Sequence, residues 1–465
     1  MSNLQPQKIA DQSMYIYFVS AIAAMAGLLF GFDAGVISGA LQFIVRDFQI
    51  ESSNFILQES IVASVPCGGI LGALVSKNCS SFLGRRKSII LTATMFIIGT
   101  LVAGYAFNVY CVILGRLVMG LAVGISAMIV PMYLSEISPV NIRGRVVFCY
   151  QLAVTIGLLS AFIVNYCFSG DGDWRAMFLV GMVPSIILGV GMYTLPESPR
   201  WLAKNGNLES ARSILIRTNG DPNVAETELN DIIKSLGNEN KSLMTLFSYP
   251  IRKVTLLCCS MFAFQQLSGI NTVMYYAPTI YSNAGFSNAR EQIAASLING
   301  VVFVLATVLG TWLVDKLGRR LLLNIGFIGM IICLFVLGKT FQNFTDTNNT
   351  AILSILSIEG YIVFFAISLG PLCYLIMSEL FPLNMKDVGM SVASLSNWFF
   401  NVLVSSTFLS LVNILGISYT FYLYTMFTTV GFIVCFFLMP ETKSISLEEM
   451  EKKLYSGRKI RYIGR

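Results

Sequence analysis

Leu83-Gly84-Arg85-Arg86 returns in the second half of the chain as Leu317-Gly318-Arg319-Arg320. Two further phrases return in the same order and at nearly the same spacing. Ser135-Glu136-Ile137-Ser138-Pro139 becomes Ser378-Glu379-Leu380-Phe381-Pro382, and Pro196-Glu197-Ser198 becomes Pro440-Glu441-Thr442. One such echo arises easily by chance, but three in register indicate a duplicated half. Working outward from each phrase, the chain turns apolar within a few residues, and every charged phrase lies at the end of an apolar run. Duplicated halves in a membrane chain are typical of transporters that rock about a central site.

The composition agrees. Of 465 residues, 55% are hydrophobic and 12% charged, against roughly 25% charged in soluble domains. With mean hydropathy +0.71, most of the chain belongs in lipid. There is no His, which removes the usual metal ligand, general base and near-neutral proton carrier. Proton handling then falls to carboxylates. The ten Cys sit mostly in apolar runs, form no CxxC pair and read as small buried hydrophobes. No disulfide framework, metal site or cofactor is expected, the proton as coupling ion apart. No nucleophile–base set or nucleotide loop is present, so neither an enzyme nor a nucleic-acid partner is expected.

A spanning helix needs about 20 mostly apolar residues. Runs of that kind lie at 15–42, 56–77, 88–108, 110–134, 147–168, 175–195, 254–283, 292–314, 321–339, 352–377, 388–413 and 418–439. These twelve split six and six. The expected fold is an all-α membrane protein of twelve transmembrane helices in two pseudo-symmetric bundles. Residues 1–197 form the N-terminal bundle, 198–252 a cytoplasmic helical linker, 253–440 the C-terminal bundle and 441–465 a tail. Within the linker, 219–224 also reads as a flexible stretch. Lys and Arg collect in cytoplasmic loops. With the N-terminus inside, all of the 31 but Arg46, Arg116, Arg175, Arg290 and Lys339 fall on the inner side. Both termini are therefore expected in the cytoplasm, the chain being multi-pass in a cell inner or plasma membrane.

Asp33 lies inside the first run, in Gly27-Leu28-Leu29-Phe30-Gly31-Phe32-Asp33-Ala34-Gly35. A lone charge at membrane depth costs about 2.5–3.5 kcal/mol on insertion scales, so it must be paired, neutralised or wet. An Asp alternating between a paired and an unpaired state can take up and release a proton. The candidate partner is Arg116, the one cation well inside a first-half run. At the run ends, Arg85, Arg86, Arg143, Asp315, Arg319 and Arg320 share one side with Glu136, Glu197, Glu379 and Glu441. Anchoring needs only the cations; carboxylates repeating beside them point to a conformational latch of ion pairs.

Uncharged polar residues stud the central runs. The seventh reads Phe264-Gln265-Gln266-Leu267-Ser268-Gly269-Ile270-Asn271, then Tyr275, Tyr276 and Pro278, with Gly and Pro interrupting the helix. Each amide side chain both donates and accepts, which suits hydroxyls. Gln151, Asn299 and Asn397 add amides from other runs, and Phe30, Tyr374 and Trp398 add flat apolar faces. Neutral amides with aromatics describe a sugar or polyol site.

Over roughly residues 15–450 these motifs resemble the sugar porter branch of the major facilitator superfamily. The nearest likeness is to bacterial proton-coupled galactose, arabinose, xylose and glucose symporters, and Gly269 to Tyr276 is also similar to inositol porters. The resemblance implies two six-helix bundles, alternating access, and proton coupling at Asp33 with Arg116. It implies sugar binding by Gln151, Gln265, Gln266, Asn271, Asn299, Asn397 and Trp398. It departs at Tyr374, where the family usually has Trp, and at Lys386-Asp387, where the first half has Arg143-Gly144. The expected function is proton-coupled monosaccharide import by a single chain in contact with lipid. The alternatives are a myo-inositol or polyol symporter, an uncoupled facilitator, and a membrane sugar sensor, the last disfavoured by the short tail.

Overall fold

The computed structural model describes all residues except 1–3, 140–141, 237–242, 344–346, 383–384, 444, 446, 457, 459 and 464–465. The side chains of Arg143 and Asp315, both expected in the latch, lie outside the described residues. Every regular element among those described is helical.

Among the described residues, eleven helices are long and apolar enough to cross a membrane. The first to sixth spans are Met14–Asp47, Phe55–Leu83, Arg85–Gly104, Val109–Ile137, Gly144–Phe168 and Trp174–Thr194. The eighth to twelfth are Ala289–Val314, Arg319–Gln342, Asn349–Leu380, Val388–Ser405 and Ile417–Leu438. The seventh expected run is absent from this set because it is broken into Ile251–Leu267, Ile270–Tyr275 and Ala277–Asn283. Gly269 makes the first break, with φ +88. Even without that backbone, a Cβ there would come within 2.7 Å of the Tyr424 ring. The eleventh span ends earlier than its run, and a separate helix, Phe408–Leu415, follows it.

Close packing sets which face of each span looks inward. Gly27, Gly31, Gly35 and Gly39 recur at every fourth position and lay the first span against the fifth. Small residues at this spacing let helix backbones approach closely in lipid. A Cβ on Gly31 would stand 1.8 Å from the Val154 carbonyl oxygen. Asp33, two residues on, lies on the opposite side of the helix and faces the fourth span.

Between the sixth and seventh spans the polar segment folds into helices Pro199–Lys204, Leu208–Asn219 and Pro222–Leu236. They bury a small core of their own: Ala203, Ala211, Leu215, Ala225 and Leu229. The flexible reading of 219–224 gives way to a tight turn, in which Gly220 ends one helix in the left-handed region at φ 74. The end of the bundle carrying these helices is the linker face; the opposite end is the far face.

The halves pack through the first span against the seventh, the second against the eleventh, and the fifth against the eighth. At mid-depth Phe30 meets Trp398 with ring centroids 5.7 Å apart. Toward the far face, Arg290 sits 5.1 Å over the Tyr166 ring, and Gly300 lies against Leu159 and Phe162. Tyr374, toward the linker face, is 43% exposed. The halves thus meet toward the far face, while Tyr374 on the linker side is exposed.

Candidate transport site

The Asp33–Arg116 pair expected from the sequence is present. Arg116 Nη1 donates to Asp33 Oδ1 at 3.3 Å, and both side chains are almost fully buried. The same guanidinium donates through Nε to the Ile61 carbonyl of the second span at 2.9 Å and lies 5.7 Å from the Phe178 ring of the sixth. One cation thereby joins four spans. At 3.3 Å the pair is long for a charge-assisted bond, which usually runs 2.7–2.9 Å. A cavity of about 10 Å³, close to one water in size, lies beside Asp33 among Phe32, Phe96, Thr100, Met119 and Gly181.

The second half builds its site from amides joined head to tail. Asn271 Nδ2 donates to Gln266 Oε1 at 2.6 Å, and Gln266 Nε2 donates to Asn397 Oδ1 at 3.2 Å. Asn397 Nδ2 donates to Gln265 Oε1 at 2.7 Å, and Gln265 Nε2 donates to the Leu369 carbonyl at 2.8 Å. The broken seventh span makes this row: the turn at Ser268-Gly269 brings Asn271 back beside Gln266. Each amide keeps lone pairs or protons to offer. Gln151 approaches from the fifth span, half-buried and with no hydrogen bond among the described residues. Phe30 and Trp398 floor the site on the far side, and Tyr374 packs edge-on against Phe262 at 4.9 Å.

Asn299, expected beside these amides, is fully buried: its Oδ1 accepts from the Tyr281 hydroxyl at 2.6 Å, and its Nδ2 has no hydrogen bond among the described residues. Tyr275 is buried at the end of the helix that begins with Ile270 and Asn271. One short helix therefore meets the amide row at its start and packs against the first span, which carries Asp33.

At the linker face the repeated phrases form two copies of one motif. Gly84 (φ 86) and Gly318 (φ 82) each turn the chain so that the next two N–H groups point at a carboxylate. Glu197 accepts from Arg85 N at 2.9 Å and Arg86 N at 3.1 Å; Glu441 accepts from Arg319 N and Arg320 N, both at 3.0 Å. Glu197 and Glu441 were expected to pair with guanidinium groups, and the structure corrects this. They cap helix N-termini, where exposed N–H groups and the helix dipole favour an anion. Among the described residues, these corners hold the ion pairs Arg85–Glu136 and Arg319–Glu379, each at 2.8 Å. The Ser198 and Thr442 hydroxyls donate to Glu136 and Glu379 in matching places. Arg86 and Arg320 donate instead to main-chain carbonyls, of Met192 and Tyr193 and of Phe436. Both motifs lie within a half, not between halves.

Two buried carboxylates escaped the sequence reading. Glu59 is 3% exposed in the second span, and Glu359 sits in the tenth with neither oxygen hydrogen-bonded among the described residues. An acidic residue inside an apolar run was the available signal, the one that singled out Asp33.

Eleven long apolar helices among the described residues, with the broken seventh span beside them, and the likeness to solved transporters give the twelve-helix major facilitator fold. The chain belongs to the "Sugar (and other) transporter" family, whose model matches residues 19–454. It is 40% identical to the galactose-proton symporter of Escherichia coli K12, covering 100% of this chain and 99% of that one. It is 38% identical to the arabinose-proton symporter of the same strain, covering 100% and 98%. The xylose transporter XylE from E. coli in its inward open conformation superimposes with a TM-score of 0.82 at 30% identity, covering 94% and 99%.

Proposed function

We propose that this protein imports a monosaccharide together with a proton by alternating access. Bundles 1–197 and 253–440 move against each other, with 198–252 as linker and 441–465 as tail. The linker face is cytoplasmic, as the distribution of Lys and Arg supports. One chain supplies both bundles and the whole site, so the monomer is the working unit in the inner or plasma membrane.

The observation that carries this reading is the helix Ile270–Tyr275. It holds Asn271 in the amide row and packs against the first span, which carries Asp33, so a shift of that helix on sugar binding reaches the proton site. Asp33 binds the proton, Arg116 is released when it does, and Gln151, Gln265, Gln266, Asn271 and Asn397 take sugar hydroxyls between Phe30, Trp398 and Tyr374. Asn299 offers its unpartnered Nδ2 as a further donor to the sugar. Arg85, Arg319 and their carboxylates hold each bundle's linker-face corner together as it moves. A proton taken from the far side and a sugar bound together permit closure, and release of both inside resets the cycle. Names of relatives that couple galactose or arabinose to protons support the substrate class.

The experiment is uptake by proteoliposomes under an imposed proton gradient, against hexoses, pentoses and myo-inositol. Accumulation of a hexose or pentose above its equilibrium level is expected. Accumulation of myo-inositol alone would make the chain a polyol symporter, and equilibration without accumulation a facilitator.

A further inference from the structure

Glu59 takes no part in the site described above, yet it makes the most direct polar bond between the two halves. It stands one turn into the second span, near the far face, and is 3% exposed. Its Oε1 accepts from the backbone N–H of Ser410 at 2.8 Å, and its Oε2 from the Ser410 hydroxyl, also at 2.8 Å. Ser410 belongs to the first turn of the helix Phe408–Leu415, in the other half.

That helix has no cap of its own. Thr407 occupies the capping position, but its hydroxyl donates back to the Leu403 carbonyl at 2.7 Å and caps nothing. The first N–H groups of a helix need an acceptor, and buried ones are almost always given one. Glu59 supplies it from across the bundle boundary, where the helix dipole also favours an anion. Separating the halves at the far face would strand a carboxylate and uncap a helix in one step.

We propose that Glu59 is the positioning residue that holds the far face shut: a cap given in trans, made only while the cavity faces the linker side. The inference rests on the transport reading in one respect, that the far face opens during the cycle. It differs in kind from the linker-face motifs, which join residues within a half and can survive the motion intact.

The test is hydrogen–deuterium exchange of the full-length protein in lipid nanodiscs, comparing the wild type with Glu59→Gln. Gln keeps the size but cannot accept at both positions. A charge-assisted hydrogen bond is worth a factor of about ten or more, so exchange in residues 408–415 should rise roughly tenfold. A see-saw motion demands a second change: exchange at the linker-face ends of the fifth and tenth spans, 144–151 and 371–380, should fall as that side closes. Ser410→Ala, which removes the hydroxyl donor and leaves the backbone N–H bond to Glu59, should move both regions the same way by a smaller factor than Glu59→Gln, and serves if Glu59→Gln does not fold. Opposite changes at the two faces support the gate. Unchanged exchange, or faster exchange at 408–415 with none of the slowing at the linker face, overturns it and leaves Glu59 a local cap. Exchange does not depend on which solute is carried, so failure of the sugar assay and failure of the gate are separate results.

Discussion

The two halves repeat one linker-face motif and differ in what they hold at membrane depth. The first half buries a charge pair, Asp33–Arg116, with a water-sized cavity beside it. The second buries a row of neutral amides ending on a main-chain carbonyl. The duplicated phrases give each bundle the same corner, and departures from symmetry assign the work: ion in one half, hydroxyls in the other. The corners themselves are unequal. Arg85 grips Glu136 through both Nε and Nη2, at 2.9 and 2.8 Å, whereas Arg319 reaches Glu379 through Nη2, and its Nε is buried without a hydrogen bond among the described residues. An orphaned buried donor is a standing penalty, so the second corner is the weaker.

The largest effect should come from breaking the charge pair on one side. Arg116→Leu strands Asp33 and should lower stability by about 3–5 kcal/mol, the usual loss when a buried pair loses one partner. Adding Asp33→Asn should restore most of it, and thermal unfolding in detergent of the two single variants and the double variant checks this. If the double variant is no more stable than Arg116→Leu, the two groups do not compensate each other.

Next come the amides. Gln265→Ala and Asn397→Ala should each weaken sugar binding about five- to tenfold, the worth of a lost hydrogen bond with its partner left unsatisfied. Calorimetric titration measures this, and the pH dependence of uptake should stay that of the wild type. A pH profile altered by either change would dissolve the division between halves.

The corners should give smaller, unequal losses. Arg85→Gln should destabilise more than Arg319→Gln by about 1 kcal/mol, one hydrogen bond's difference, read from paired melting curves. Equal losses would mean that the asymmetry has no energetic weight. The smallest effect is expected from Tyr374→Trp. It keeps an aromatic face and should shift the preference among sugars by less than about tenfold, as single pocket changes usually do. Competition uptake with hexoses and pentoses measures the shift.

The fold was legible because lipid is a demanding solvent: length, hydropathy and Lys/Arg placement leave few choices. The seventh span was legible as interrupted, since Gly269 and Pro278 are visible, though not as three helices. Asp33 and Arg116 could be paired by elimination, because charges at that depth are few. The true partners of Glu197 and Glu441 could not. A sequence shows charges but hides backbone N–H groups, and the turns at Gly84 and Gly318 aim those groups at the carboxylates. Asn299 looked like any other amide until the structure showed Tyr281 against it. Glu59 was hidden because its partner lies on a helix whose own capping residue is turned away.

The most direct test of coupling at Asp33 compares two modes of transport in one preparation. Proteoliposomes holding Asp33→Asn are assayed for accumulation against a gradient under an imposed proton gradient, and for counterflow exchange with sugar on both sides. Loss of accumulation with exchange retained is the predicted result. Accumulation to the wild-type level would contradict the account, for the proton would then be carried elsewhere.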